Sequence, residues 1–193
     1  MFSSVRWVKI GVAGSTIEKG DPYFEKIEHL GEIIAERGHT LVTGACDGSP
    51  YTVSSSAYKR GAKVIAFSPG RNLDEHKNRF GFPTDSVSEF RFIPSDFQFV
   101  DVRGACLKLR NVYWVTFADV VIIVRGKTGT LNEFTIAYDL GKVIGVLKGS
   151  GGVSDSIPQL VEMLQKPSGS VFVYSEDPVE LVDRLEVHAH DSG

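Results

Sequence analysis

Five consecutive β-branched residues, Val120, Val121, Ile122, Ile123 and Val124, run without a polar interruption into Arg125-Gly126-Lys127-Thr128-Gly129-Thr130. An apolar run of this kind, with no alternation, belongs to a strand covered on both faces, and such strands are found in parallel sheets flanked by helices. That one strand sets the fold class. Strand and helix patterns alternate through most of the remaining chain, which predicts a doubly wound α/β architecture with a mostly parallel sheet and helices on both faces.

Residues 7–13 read as the first strand. A helix then opens at Asp21-Pro22, carries Ile27, Leu30, Ile33 and Ile34 at helical spacing, and stops at Gly38. Residues 40–43 and 63–67 read as strands on either side of a helix over 51–60. From Ser68 to Val102 the pattern breaks into Pro, Gly and aromatic residues, with one strand at 89–93. A long irregular excursion in a compact domain is usually functional or mobile. Regularity returns with a helix over 106–117, the strand that Asp119 opens, a helix over 130–140 and a strand over 143–147. A helix over 157–164, a strand over 171–174 and a closing helix over 178–185 follow, with the KGSGG segment at 148–152 as a surface loop. With 193 residues and 42% hydrophobic content, residues 1–193 form one expected domain. A chain of that size buries roughly 70% of its unfolded surface.

Charge and cysteine usage remove several function classes. Net charge is −3, with Lys and Arg spread along the chain, so no electrostatic footprint for nucleic acid or an acidic membrane is expected. Cys46 and Cys106 form no C-x-x-C pair and have no metal-ligand spacing to His29, His39, His76, His188 or His190. No metal and no resident cofactor are expected. His188 and His190 read as part of a frayed polar tail. Met1–Ser4 is too short for a signal peptide, and no apolar run approaches about 18 residues, so a reduced, cytoplasmic protein is the expectation.

Three glycine-bearing turns follow predicted strands: Gly11 to Thr16, including Gly14 and Ser15; Gly44 to Gly48; and Gly126 to Thr130. In an open α/β sheet, ligands bind outside the carboxyl ends of the strands where the strand order reverses, so these turns should converge on one crevice. The last turn is the most specific. Gly126 and Gly129 let backbone approach an anion, Lys127 and Thr128 add polar groups, and Thr130 is placed to cap the next helix with Glu133 in its first turn. Thr130 and Glu133 also make a capping box, which needs no ligand. A Walker A loop is excluded, because its first glycine would fall at Val121 inside the strand. NAD is disfavoured as well: no G-x-G-x-x-G follows the first strand, and the second ends in Thr43-Gly44 where a ribose-binding acid is needed.

The stretch from Arg110 through Asp119 to Arg125-Gly-Lys-Thr-Gly129-Thr130-Leu-Asn-Glu133 resembles the LOG (Lonely Guy) family, whose members also carry a lysine decarboxylase label. That family's hallmark is PGGxGTxxE, preceded by an Arg on the helix leading into an aspartate-started strand. Thr43-Gly44-Ala45-Cys46-Asp47-Gly48 resembles the family's second glycine turn. Arg125 stands where the family has Pro, and Lys127 where it has its second Gly. The resemblance covers most of residues 9–147. It implies a Rossmann-like fold, a homodimer or higher homo-oligomer, and hydrolysis of the N-glycosidic bond of a nucleoside 5′-monophosphate to free base and ribose 5-phosphate.

The implied chemistry has a physical basis in these residues. Cleaving a ribosyl bond passes through an oxocarbenium-like sugar, which a carboxylate can stabilise or supply with activated water; Glu133 is the candidate. Arg110 is placed to hold the phosphate or the departing base, or is a plain surface helix residue. Asp119 reads as an orienting group for its strand, and Lys127 has no pyridoxal-phosphate context. Phe80, Phe82, Phe90, Phe92, Phe97 and Phe99 read as a mini-core under the excursion, or as a base-stacking platform. Two rivals remain open: a non-catalytic nucleotide or molybdenum-cofactor carrier or sensor of similar fold, and a deoxyribosyl-transferring enzyme.

Overall fold

The computed structural model describes residues 7–191; the Met1–Ser4 segment lies outside them. Seven strands form one parallel sheet in the order β4-β3-β2-β1-β5-β6-β7. They are β1 Lys9–Gly14, β2 Thr40–Thr43, β3 Val64–Ser68, β4 Glu89–Phe92, β5 Val120–Val124, β6 Val143–Leu147 and β7 Val171–Ser175. Six helices join them: α1 Phe24–Glu36, α2 Ser49–Lys59, α3 Arg103–Phe117, α4 Thr128–Asp139, α5 Val153–Leu164 and α6 Pro178–Asp191. The fold is Rossmann-like α/β, and every strand pairing is parallel.

Side chains alternate across the pleat, so each central strand feeds two cores. Ile10, Val12, Val120, Ile122 and Val124 pack under α1, α2 and α6. Ala13, Val121, Ile123, Ile144 and Val146 pack under α3, α4 and α5. All five residues of β5 are fully buried, which is why that strand carries no polar residue on either face.

The excursion between β3 and α3 is ordered by its own small core. Phe80, Ile93 and Cys106 are buried together, with Phe82 and Phe97 against them. Phe90 and Phe92 stack on one another at 6.0 Å, and Phe99 is exposed. Residues 75–80 form a π-helical turn around His76, whose Nε2–H donates to the Pro83 carbonyl at 2.9 Å while Nδ1 accepts the Ser68 hydroxyl at 2.9 Å. Burial pushes the His76 pKa down, so this ring is a neutral structural bracket.

Several helix boundaries differ from the sequence expectation, α1 starting at Phe24 rather than at Asp21-Pro22 and α3 at Arg103 rather than near Cys106. Helix α2 starts at Ser49, because Gly48 at φ +83° turns the chain and Pro50 fits the first turn. Helix α4 starts at Thr128, two residues before the proposed Thr130 cap. Helix α5 starts at Val153, four residues before the expected 157, and runs through Pro158, which falls in its first turns. Helix α6 continues through His188 and His190 to Asp191, so that segment is not a frayed tail. Among the described residues no helix is long and apolar enough to cross a membrane.

Candidate functional site

Strand order reverses between β1 and β5, neighbours in the sheet although they are distant in sequence. Chains leaving their carboxyl ends diverge and open a crevice there. A cleft of about 420 Å³ occupies it, lined by Gly14, Ser15 and Thr16 after β1, Cys46 after β2, Gly104, Leu107, Lys108, Arg110 and Asn111 on α3, and Lys127, Thr128, Gly129, Thr130 and Glu133 at the start of α4. That volume is within the range of small-molecule sites. Gly44, Gly48 and Gly126 do not line it. A neighbouring hollow of about 480 Å³ lies over Thr16–Asp21 and Arg125, but its one guanidinium is already paired with Asp21 at 2.9 Å.

The glycines of the three turns serve mainly to lock the turns together. A Cβ at Gly48 would collide with the Ser15 carbonyl, to which Ser49 donates both its N–H (2.8 Å) and its hydroxyl (2.9 Å). A Cβ at Gly14 would meet Ser49 Cβ at 2.9 Å and the Val124 carbonyl at 3.0 Å. Gly126, at φ +113°, donates its N–H to Ser15 Oγ at 3.2 Å. Gly44 leaves room for Arg110, whose Nη1 donates to the Gly44 carbonyl. Gly129 is different: nothing stands within 4 Å of where its Cβ would be.

Helix α4 has no side-chain cap. Its first-turn amides, at Thr128, Gly129 and Thr130, have no acceptor within the helix and point with the positive end of the helix dipole. Thr130 does not cap the helix; its Oγ1 is buried without a partner. Glu133 sits past the first turn, so the capping-box expectation is corrected: its Oε1 accepts the Trp114 indole N–H at 3.2 Å instead of a cap amide.

Arg110 and Glu133 are both buried, at 5% and 7% exposure, so Arg110 is not a surface helix residue. Burial pushes the Glu133 carboxyl up to about 7, against the opposing pulls of the Arg110 guanidinium, the Trp114 N–H and Lys108. Burial likewise raises the Cys46 thiol, which Arg110 partly offsets, so Cys46 is a neutral thiol wall of the cleft rather than a nucleophile. Arg110 Nε, Asn111 Oδ1 and Thr130 Oγ1 are all buried without hydrogen-bond partners. Unmet buried polar atoms are few in native proteins, and these three sit on residues that line the cleft.

Arg125 adopts φ +54°, a conformation closed to proline, and its N–H donates to Ser150 Oγ at 2.9 Å. Its side chain bonds Asp21 and lies 5.6 Å from the Tyr23 ring, tying the β5–α4 turn to the β1–α1 loop. The Arg125 cation is therefore spent on structure. Lys127, in contrast, is exposed at the cleft, with Nζ 3.2 Å from Thr16 Oγ1. Asp119 lies at the opposite end of the sheet, where Oδ2 accepts the Lys9 N–H at 2.8 Å and orients the start of β5. None of the six phenylalanines of the excursion lines the cleft. Thr16 and Cys46 lie in two of the turns expected to converge here but were not singled out; the sequence reasoning missed Gly104, Leu107, Lys108 and Asn111 on α3, of which Asn111, adjacent to Arg110 and bonded to Asn132 at 3.0 Å, had a positional signal. Among the described residues no group of three or more His, Cys, Asp or Glu side chains is placed to hold a metal ion.

A model of the SLOG cluster4 family matches residues 7–182. The chain belongs to that family. A relative from Archaeoglobus fulgidus, called an uncharacterized protein, is 28% identical over 144 residues, covering 75% of this chain and 82% of its own. Among solved structures, TM1055 superposes with a TM-score of 0.73 at 22% identity, covering 93% of this chain and 99% of its own. The molybdenum cofactor binding protein from the phototrophic bacterium Rippkaea orientalis gives 0.69 at 22% identity, covering 96% and 99%. DNA processing protein A from Helicobacter pylori, which binds single-stranded DNA, gives 0.59 at 17% identity, covering 95% and 81%. Likenesses at these identities establish the shared fold.

Proposed function

We propose that the cleft binds a nucleoside 5′-monophosphate and hydrolyses its N-glycosidic bond to free base and ribose 5-phosphate, the LOG-type reaction. The observation that carries this reading is Glu133, a buried carboxyl with a pKa of about 7 in the wall of a cleft that also holds a helix N-terminus. A site that only held a phosphate would gain nothing from a carboxylate beside it, because like charges repel.

The phosphate belongs at the free amides of Thr128, Gly129 and Thr130, with Lys127 beside it. Ribose then lies towards Glu133. As the bond between the anomeric carbon and the base nitrogen breaks, its electron pair leaves with the base and positive charge grows on the sugar. The Glu133 carboxylate stabilises that charge and takes the proton of the water that adds its hydroxyl to the anomeric carbon. That proton is then passed on, through solvent, to the nitrogen of the departed base, which leaves as the neutral free base. A base with a pKa near 7 is matched to this task at neutral pH. Arg110, freed from the Gly44 carbonyl, has a second guanidinium edge for the phosphate or the departing base.

A carrier reading is favoured by two observations. Arg110 is tied to the Gly44 carbonyl, and one structural neighbour binds a molybdenum cofactor. Incubation with a panel of nucleoside monophosphates, followed by chromatography for free base, separates the two. Glu133→Gln should hold affinity within a few fold and lower turnover about 100-fold or more, whereas Arg110→Ala should impair binding and turnover together. Binding without base release in the unaltered protein would favour the carrier. The net charge of −3 supports a small-molecule ligand over nucleic acid, and single-stranded DNA is the control ligand that the Helicobacter neighbour calls for.

A further inference from the structure

Trp114 has no exposed surface, and its ring fills a slot that exists because position 11 is glycine. A Cβ at Gly11 would lie 2.5 Å from Trp114 Cζ3 and 2.9 Å from Ala118 Cβ. With the ring held there, Nε1–H reaches Glu133 Oε1 at 3.2 Å. One turn earlier on α3, Asn111 Nδ2 donates to Asn132 Oδ1 at 3.0 Å, so α3 and α4 are held in register by two polar bridges. Glu133 Oε1 is thereby taken. Oε2 has no hydrogen bond within the protein and is not among the enclosed orphan atoms, which leaves it as the oxygen open to the cleft.

Resting on the glycosidase reading, the geometry points to Trp114 as a positioning residue: its indole N–H pins Glu133 Oε1 and so fixes the carboxyl plane that presents Oε2 to the sugar. A glutamate side chain has three rotatable bonds, and a reacting oxygen gains from being held in one orientation before substrate arrives. The Trp114 N–H supplies that restraint without adding charge. The charged and titratable groups around the carboxyl are Lys108 and Arg110 on α3 and Cys46 on the β2–α2 turn.

The contact is testable without turnover. The chain has two tryptophans, Trp7 and Trp114, so its indole ¹H–¹⁵N spectrum contains two indole signals. The Trp114 signal should shift with an inflection at about pH 7 and lose that shift in Glu133→Gln. A Trp114 signal flat from about pH 5 to pH 9 overturns the contact. Function is read in Trp114→Phe and, to guard against misfolding, in protein with 3-benzothienylalanine at position 114, which keeps the bicyclic ring and lacks the N–H. In both, the Glu133 carboxyl ¹³C inflection should move to higher pH, and kcat for base release should fall about tenfold or more with KM within a few fold. Unchanged kcat and an unchanged inflection in the benzothienyl protein overturn the positioning role. Absence of base release from every nucleotide overturns the glycosidase reading and the catalytic part of this inference, while the indole titration still decides the contact.

Discussion

Replacing the carboxyl proposed to do the chemistry should make the protein harder to unfold at alkaline pH. Glu133 is 7% exposed, and burial raises its pKa from 4.5, the ordinary value, to about 7. Raising an acid's folded-state pKa means that the unfolded chain releases its proton first as pH rises. Stability then falls through that window by roughly 1.4 kcal/mol per pH unit. The loss is absent below about pH 4.5, reaches roughly 3 kcal/mol near pH 7, and stays constant above it. Glutamine has no proton to lose, and it keeps an acceptor for the Trp114 N–H. The difference in unfolding free energy between Glu133→Gln and the unaltered protein should therefore swing by roughly 3 kcal/mol towards the variant between pH 4.5 and pH 8. For a chain of this size that is roughly 6–12 °C in Tm. Urea unfolding followed by circular dichroism across that range measures it, since all other titrating groups are common to both proteins and cancel. A stability difference that stays flat with pH, or that moves towards the unaltered protein as pH rises, would refute the buried, proton-holding carboxyl.

Three further outcomes are expected. Arg125→Pro, which installs the first residue of the LOG-type motif, should destabilise by about 3 kcal/mol or more in urea melts, because proline cannot reach φ +54° and removes the N–H bonded to Ser150. Gly31→Ala should lower stability by about 1–3 kcal/mol even though alanine is the better helix former, because the new Cβ collides with Ser56 Oγ and the Val53 carbonyl where α1 meets α2; a Tm equal to or above that of the unaltered protein would show that the helices separate without cost. Lys127→Ala should weaken nucleotide binding and flatten its salt dependence in calorimetric titrations, and unchanged affinity at low salt would remove Lys127 from the site.

The fold was legible where burial leaves its mark on consecutive residues. Val120–Val124 is buried on both faces and reads so directly in the sequence, whereas β1 was placed two residues early because Trp7, at 78% exposure, looks like a strand residue and is not one. Positions fixed by distant partners were not legible. Thr130 and Glu133 have capping-box spacing, but the chain becomes helical at Thr128, and what redirects the Glu133 carboxyl is an indole on another helix. That indole owes its place to a missing Cβ on β1. No local window contains all three residues.

The glycines carry the same lesson into the binding site. A glycine after a strand is read as room for a phosphate, yet Gly14 and Gly48 make room for the neighbouring turn, and Gly44 makes room for Arg110. Gly126 is needed for its φ of +113°. Among Gly14 and the glycines of the turns at 44–48 and 126–130, Gly129 is the one with open space before it and first-turn amides around it. Pattern and backbone diverge most at Arg125, because a chain that matches the LOG spacing residue for residue cannot share the backbone of a Pro-Gly-Gly turn when its first position sits at φ +54°. With that guanidinium held by Asp21, the cationic side chain left for an anion on this turn is Lys127, so the proposed phosphate contact on this turn rests on α4 amides and one ammonium rather than on a wrapped glycine loop. Such a site favours one compact phosphate over an extended polyphosphate, and this agrees with a monophosphate as the proposed substrate.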